Sequence, residues 1–174
     1  MNAGIGKSQR RISAILQEIP AAREQLLVAM EGFGEEFPEA AFLAAARSPD
    51  AYERNKVAVV ERMYEVLLNW LHELAARALA EGQRLGVVDK SEAGPWQRLS
   101  ALGVISARSA ERLQEAKELR DVLGHAYPPA DSRALHSGVQ TLVEELDSYL
   151  VRFAHWVESA GISPTRTPSD AKEQ

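Results

Sequence analysis

Between positions 120 and 127 the chain reads Arg-Asp-Val-Leu-Gly-His-Ala-Tyr. Within about two helical turns this run holds a permanent cation, a base that titrates near neutrality and a phenol. Those groups suit chemistry on a phosphodiester. Cleaving RNA takes a base for the 2'-hydroxyl proton, an acid for the leaving oxygen and a cation for the crowded phosphorane. Imidazole can move both protons, and guanidinium grips phosphate oxygens in pairs without losing its charge. The residues three and four positions from Arg120 are Ala116, Lys117, Leu123 and Gly124, none of them acidic. Helical spacing therefore predicts no local carboxylate partner for Arg120.

The helix that must carry these groups starts at Ser106, a good cap, and its apolar stripe is Ala110, Leu113, Ala116, Leu119, Leu123 and Ala126. Pro128 restricts Tyr127, so the helix is expected to end near Ala126, with His125 and Tyr127 at its last turn. Arg120 lies beside the stripe, which predicts a half-covered stem and a guanidinium reaching an edge or groove. Arg108, Arg112 and Lys117 share the helix as possible RNA contacts. Glu111, Glu115 and Glu118 interleave with them, so a plain solvated face is the competing reading. Read without any family in view, His125 beside Gly124 could be a histidine closing a helix and Tyr127 a packing residue.

The remaining elements form a scaffold. Ile12, Leu16, Ile19, Leu26 and Met30 recur at helical spacing, with Pro20 expected to kink or split that helix. Gly32-Phe33-Gly34 reads as a stop and not as a dinucleotide loop, since no strand precedes it and no third glycine follows. Glu35, Glu36 and Glu39 are read as opening a short helix containing Phe42 and Leu43. Ser48-Pro49-Asp50 then starts a long helix to about Glu81. It carries two stripes: Val57, Val60, Tyr64, Leu67, Leu71 and Leu74, and, offset from it, Val59, Met63, Val66 and Trp70. Two stripes predict cover on two sides, with a second subunit as one candidate.

His72-Glu73-Leu74-Ala75-Ala76 begins like a zinc-protease motif, but Ala76 stands where the second histidine must be. His72 therefore reads as a surface residue and no metal site is expected. Gly82 to Pro95 reads as a loop, and Trp96, Leu99 and Leu102 as a short apolar face closed by Gly103. Pro128, Pro129 and Asp131 lead into a last helix with a stripe from Leu135 through Val139, Leu142, Leu146, Tyr149 and Phe153 to Trp156. His136 and His155 read as surface or boundary residues.

No stretch alternates with the period of a strand and no repeat appears. The expected fold is all-α, an up-and-down bundle of four main helices with short extra helices. Residues 1–160 are read as one domain and 161–174 as a polar tail without fixed structure. The chain of 174 residues, 45% hydrophobic, is long enough for one real core. Zero cysteines suit a reducing, cytoplasmic setting and exclude a thiol nucleophile. A net charge of -5 argues against indiscriminate nucleic-acid binding, so an RNA site must be small and local. The apolar run from Ile12 to Ile19 is interrupted by Gln17 and Glu18 and is too short and amphipathic for an export or membrane segment.

The Arg120-x4-His125-x-Tyr127 element, preceded by Leu-Ser-Ala-Leu-Gly-Val-Ile-Ser at 99–106 and followed by Pro-Pro-Ala-Asp and one more helix, resembles the HEPN toxins of HEPN/MNT toxin–antitoxin pairs, the HepT-like proteins. The resemblance spans roughly residues 36 to 158. It implies a HEPN-like helical homodimer with a shared cleft, acting as a metal-independent endoribonuclease that needs no cofactor. It also implies a minimal nucleotidyltransferase antitoxin as partner, RNA (tRNA or mRNA) as substrate, and neither DNA nor a membrane. Carried onto this sequence, Arg120 and His125 are the catalytic pair and Tyr127 is the residue the antitoxin adenylylates. Asp121 stands where the family usually has Asn, in a supporting position. The alternative is a catalytically inactive helical subunit that binds the nucleotidyltransferase or presents a substrate to it.

Overall fold

The computed structural model describes residues 6–123 and 131–162. Among these residues there are six helices: α1 (Lys7–Glu31), α2 (Glu39–Arg47), α3 (Ala51–Arg84), α4 (Pro95–Ala101), α5 (Ala107–Leu123) and α6 (Ser132–Ser159). Among the described residues there is no strand, and no helix is long and apolar enough to cross a membrane. The all-α expectation holds, with four long helices and two short ones.

Capping decides where the long helices begin. Asp50 Oδ1 accepts the Tyr52 N–H at 2.8 Å, Ser106 Oγ accepts the Ser109 N–H at 3.0 Å, and Asp131 Oδ1 accepts the Arg133 N–H at 3.0 Å. Each bond satisfies a donor that the first turn leaves without an intrahelical partner.

α1 runs antiparallel along α3. Arg11 of α1 pairs with Glu73, and at the other end the Gly32 turn meets the stem of Lys56. These two contacts bracket the second stripe of α3, which the chain itself covers only in part: Met63, Val66 and Trp70 are half-buried. Val59 at its edge stays half exposed. Pro20 does not split α1, which runs unbroken. Ile12, Ile15, Ile19, Ala22 and Leu26 are all buried along it, and burial of that stripe outweighs one lost backbone bond.

The turn between α1 and α2 corrects two further expectations. Glu35 and Glu36 do not open α2, which starts at Glu39. Glu36 and Phe37 instead adopt left-handed backbone, φ 61° and 51°. Such backbone persists when packing over-determines it. Here Phe37 packs edge-on to Phe33 and Phe42, and its carbonyl lies 2.7 Å from His136 Nε2. His136 is only 4% exposed and stacks on Phe37 at 4.5 Å. It is a core histidine that ties the first turn of α6 to this bend, and only His155 matches the surface reading.

α5 and α6 form an antiparallel pair against α3. Tyr64 of α3 donates its hydroxyl to the Ala116 carbonyl at 3.0 Å, and burial raises its phenol well above the ordinary value. Gly138 of α6 faces this junction. A Cβ there would come within 2.7 Å of Leu119 Cδ2 and 2.9 Å of the Tyr64 hydroxyl, so only glycine permits the approach. The three helices are thus locked together one residue before Arg120. Ile162, at the end of α6, is fully buried and would touch a Cβ at Gly82, so the core extends past the expected boundary at 160.

Candidate active site

The last two turns of α5 hold Lys117, Arg120 and Asp121. Ala110, Leu113 and Ala116 are buried below them, while Leu119 packs against the core from a half-buried position. That stripe turns Arg120 to the rim, with its side chain 35% exposed. This matches the expected half-covered side chain.

Arg120 is not without a local carboxylate. Its Nη1 donates to Asp121 Oδ1 at 2.7 Å, and Lys117 Nζ donates to Asp121 Oδ2 at 2.8 Å. Neighbour rules for helices look three and four residues away, but long side chains also bend to the adjacent residue. Hydrogen bonds from Lys117 and then from Arg120 hold the Asp121 carboxyl below the ordinary carboxylate range. Two cations share this carboxylate, so the trio keeps a net positive charge near neutrality. Lys117 and Arg120 are each about one-third exposed, within reach of an arriving phosphate.

His72 of α3 borders this cluster, although its sequence setting suggested an ordinary surface position. It is half-buried, edge-on to the buried Trp96 ring at 5.9 Å. Burial is the main reason its imidazole sits below the usual histidine value; Lys117 and Arg120 push the same way, and Asp121 opposes them. Periodicity along α3 could not reveal this, because the effect depends on which turn of α5 crosses it. Glu73, the next residue, is engaged by Arg11 and Arg77.

The other cations named on α5 are not gathered here. Arg112 donates to Glu145 at 2.6 Å and to Glu144 at 2.7 Å, both on α6. It lies about 12 Å along the helix from Arg120. Arg108 is exposed in the first turn. His125 and Tyr127, with Ala126 and the two prolines that follow, lie outside the described residues.

A family model described as "HepT-like: Ribonuclease HepT-like" matches residues 23–153, three-quarters of the chain, and the chain belongs to that family. No curated protein and no solved structure matches it. The matched span includes α5, the Arg120-x4-His125-x-Tyr127 element and most of α6.

Proposed function

Starting from membership of the HepT-like ribonucleases, we propose that this protein is the toxin of a toxin–antitoxin pair, a metal-independent endoribonuclease acting through Arg120 and His125. The observation that carries this reading is the end of α5. There Arg120 and Lys117 share Asp121 at the rim, directly ahead of the histidine and tyrosine. In the proposed reaction imidazole takes the 2'-hydroxyl proton, the 2'-oxygen attacks phosphorus, and the 5'-oxygen leaves with a proton returned to it. Arg120 binds the non-bridging oxygens as charge builds on them, the step at which a fixed cation contributes most. Asp121 supports it by holding the guanidinium until phosphate replaces the carboxylate.

A two-fold homodimer would bring two such motifs to one cleft and supply separate histidines as base and acid. Adenylylation of Tyr127 by a minimal nucleotidyltransferase would place a phosphate beside Arg120, where it competes with RNA for the same cation. The setting is cytoplasmic, the substrate tRNA or mRNA, and the helical domain ends where the polar tail begins.

The test is incubation of purified protein with total tRNA and mRNA. Wild type should cleave, and Arg120→Ala and His125→Ala should each lower the rate by at least about a hundredfold, in the range seen when one transition-state donor is removed. A wild type that leaves RNA intact while binding the nucleotidyltransferase would favour the inactive-subunit reading. The carboxylate already seated on Arg120 is the feature that favours that second reading.

A further inference from the structure

The three histidines among the described residues are placed very differently. His136 is buried with Nε2 2.7 Å from the Phe37 carbonyl, and His155 is exposed on α6. His72 is half-buried on α3, its ring edge-on to the buried Trp96 ring at 5.9 Å. That contact holds the ring and leaves its nitrogens unused. Neither nitrogen has a hydrogen bond among the described residues, and neither is sealed from solvent, unlike Trp96 Nε1.

The charged groups that act on this ring come from α5. Besides burial, Lys117 and Arg120 disfavour its protonated form and Asp121 favours it. From α4 it meets Trp96, which carries no charge, and Glu73 on its own helix is taken up by Arg11 and Arg77. An imidazole with open nitrogens therefore stands beside two cations that share one carboxylate, at 2.7 and 2.8 Å. A phosphate drawn to Lys117 and Arg120 arrives beside a further donor. The neutral ring offers it one N–H and the protonated ring two. The phosphate also changes the local balance, since an anion favours the protonation that the two cations oppose.

We propose that His72 is a third phosphate-binding group at the Arg120 end of α5, reaching it from α3, and that RNA bound there draws a proton onto its imidazole. The inference rests on the reading of that end as the RNA site and adds a contact from a second helix. By reciprocity, a ligand that favours protonation binds more tightly to the protonated protein. Binding should therefore strengthen as pH falls through the value of the free imidazole. Well above the value in the complex the ring is neutral with or without RNA, and this dependence vanishes. Asp121 and Glu73 are both held below the ordinary carboxylate range, so neither takes up the proton in this window.

The probe is a short single-stranded RNA with every 2'-hydroxyl methylated, which can bind but offers no 2'-oxygen for attack. Its affinity for the full-length chain is followed by fluorescence anisotropy from about pH 8 to about pH 5, the range in which histidine changes charge. His125→Ala serves as the parent, so that the motif histidine adds nothing to the profile. Affinity should rise roughly tenfold across the range, the amount that a one-unit rise in the His72 midpoint gives, and His72→Gln should lose most of that rise. NMR of the His72 ring in the parent needs no substitution at position 72, and its midpoint should move up by about one unit on saturation with RNA. A midpoint that stays put or falls, or a pH profile identical in the parent and His72→Gln, would overturn the proposal. Arg120→Ala separates it from the reading beneath it. If that variant binds as tightly as the parent, RNA is not held at this end of α5 and both readings fail; if it binds more weakly while His72→Gln changes nothing, only the role of His72 fails.

Discussion

Two arginines two turns apart on α5 meet opposite fates. Arg112, 26% exposed, is clasped by Glu144 and Glu145 from α6, two carboxylates for one cation. Arg120 shares one carboxylate from its own helix with a second cation, Lys117. The first arrangement crosses between helices and consumes the charge; the second stays on one helix and leaves charge over. Residue type is the same, so the difference between a strut and a reagent is set by how many carboxylates arrive and from where. Arg112→Ala should therefore lower stability, by about 2 kcal/mol, since Glu145 is largely covered and loses its partner. For a chain of this size that corresponds to a melting temperature lower by roughly 4–8 °C. Cleavage per folded molecule should stay close to wild type. Arg120→Ala should show the reverse, a change in stability within about 1 kcal/mol, as for exposed pairs, and loss of cleavage. Thermal melts read beside RNA cleavage for both variants decide it, and equal loss of cleavage in both would erase the distinction.

The second way to sharpen the contrast is to remove the shared carboxylate. Asp121→Asn keeps the size of the side chain and one acceptor oxygen while releasing both cations. Binding of RNA should tighten severalfold and become more salt-dependent, the slope of log K against log salt steepening by about 0.7 for one additional phosphate contact on a single strand. If Asp121 also orients Arg120, kcat should fall while KM falls. A salt slope identical to wild type would mean that Asp121 never competes with phosphate.

Much of this arrangement was legible in the sequence because it rests on local rules. Ser106, Asp131 and the Ser48-Pro49-Asp50 start act through bonds within one turn, and the α5 and α6 stripes follow helical spacing. Most of what escaped was set by distant contacts. Pro20 costs α1 a bond, yet the α3 surface beneath it keeps the helix whole. His136 reads from the sequence as a surface or boundary residue, and only the left-handed bend at Phe37 gives it a buried acceptor. Arg120 is the local exception: helical spacing counts partners three and four residues away, whereas its flexible guanidinium bends to the adjacent Asp121. His72 belongs in the sequence only to an incomplete metal motif, and its place beside Lys117 and Asp121 comes from the way α3 and α5 cross.

That crossing yields the smallest and most diagnostic effect. Burial first, then the fields of Lys117 and Arg120, hold the His72 imidazole below the usual value, against the pull of Asp121. A histidine whose folded value is depressed binds fewer protons in the native state than in the unfolded chain, where it titrates near ~6.5. Stability from this site is therefore complete above that value, falls as pH drops through it, and levels off once the folded state also takes up the proton. His72→Gln should flatten that part of the stability curve relative to wild type, measured by denaturant unfolding at a series of pH values. The decisive coupling is with the cluster. Asp121→Asn removes the group that raises the His72 value and frees the two cations that lower it, so the imidazole should titrate lower still when followed by NMR. A titration midpoint that stays put or rises in Asp121→Asn would separate His72 from the Arg120 end of α5 and leave it a packing partner of Trp96.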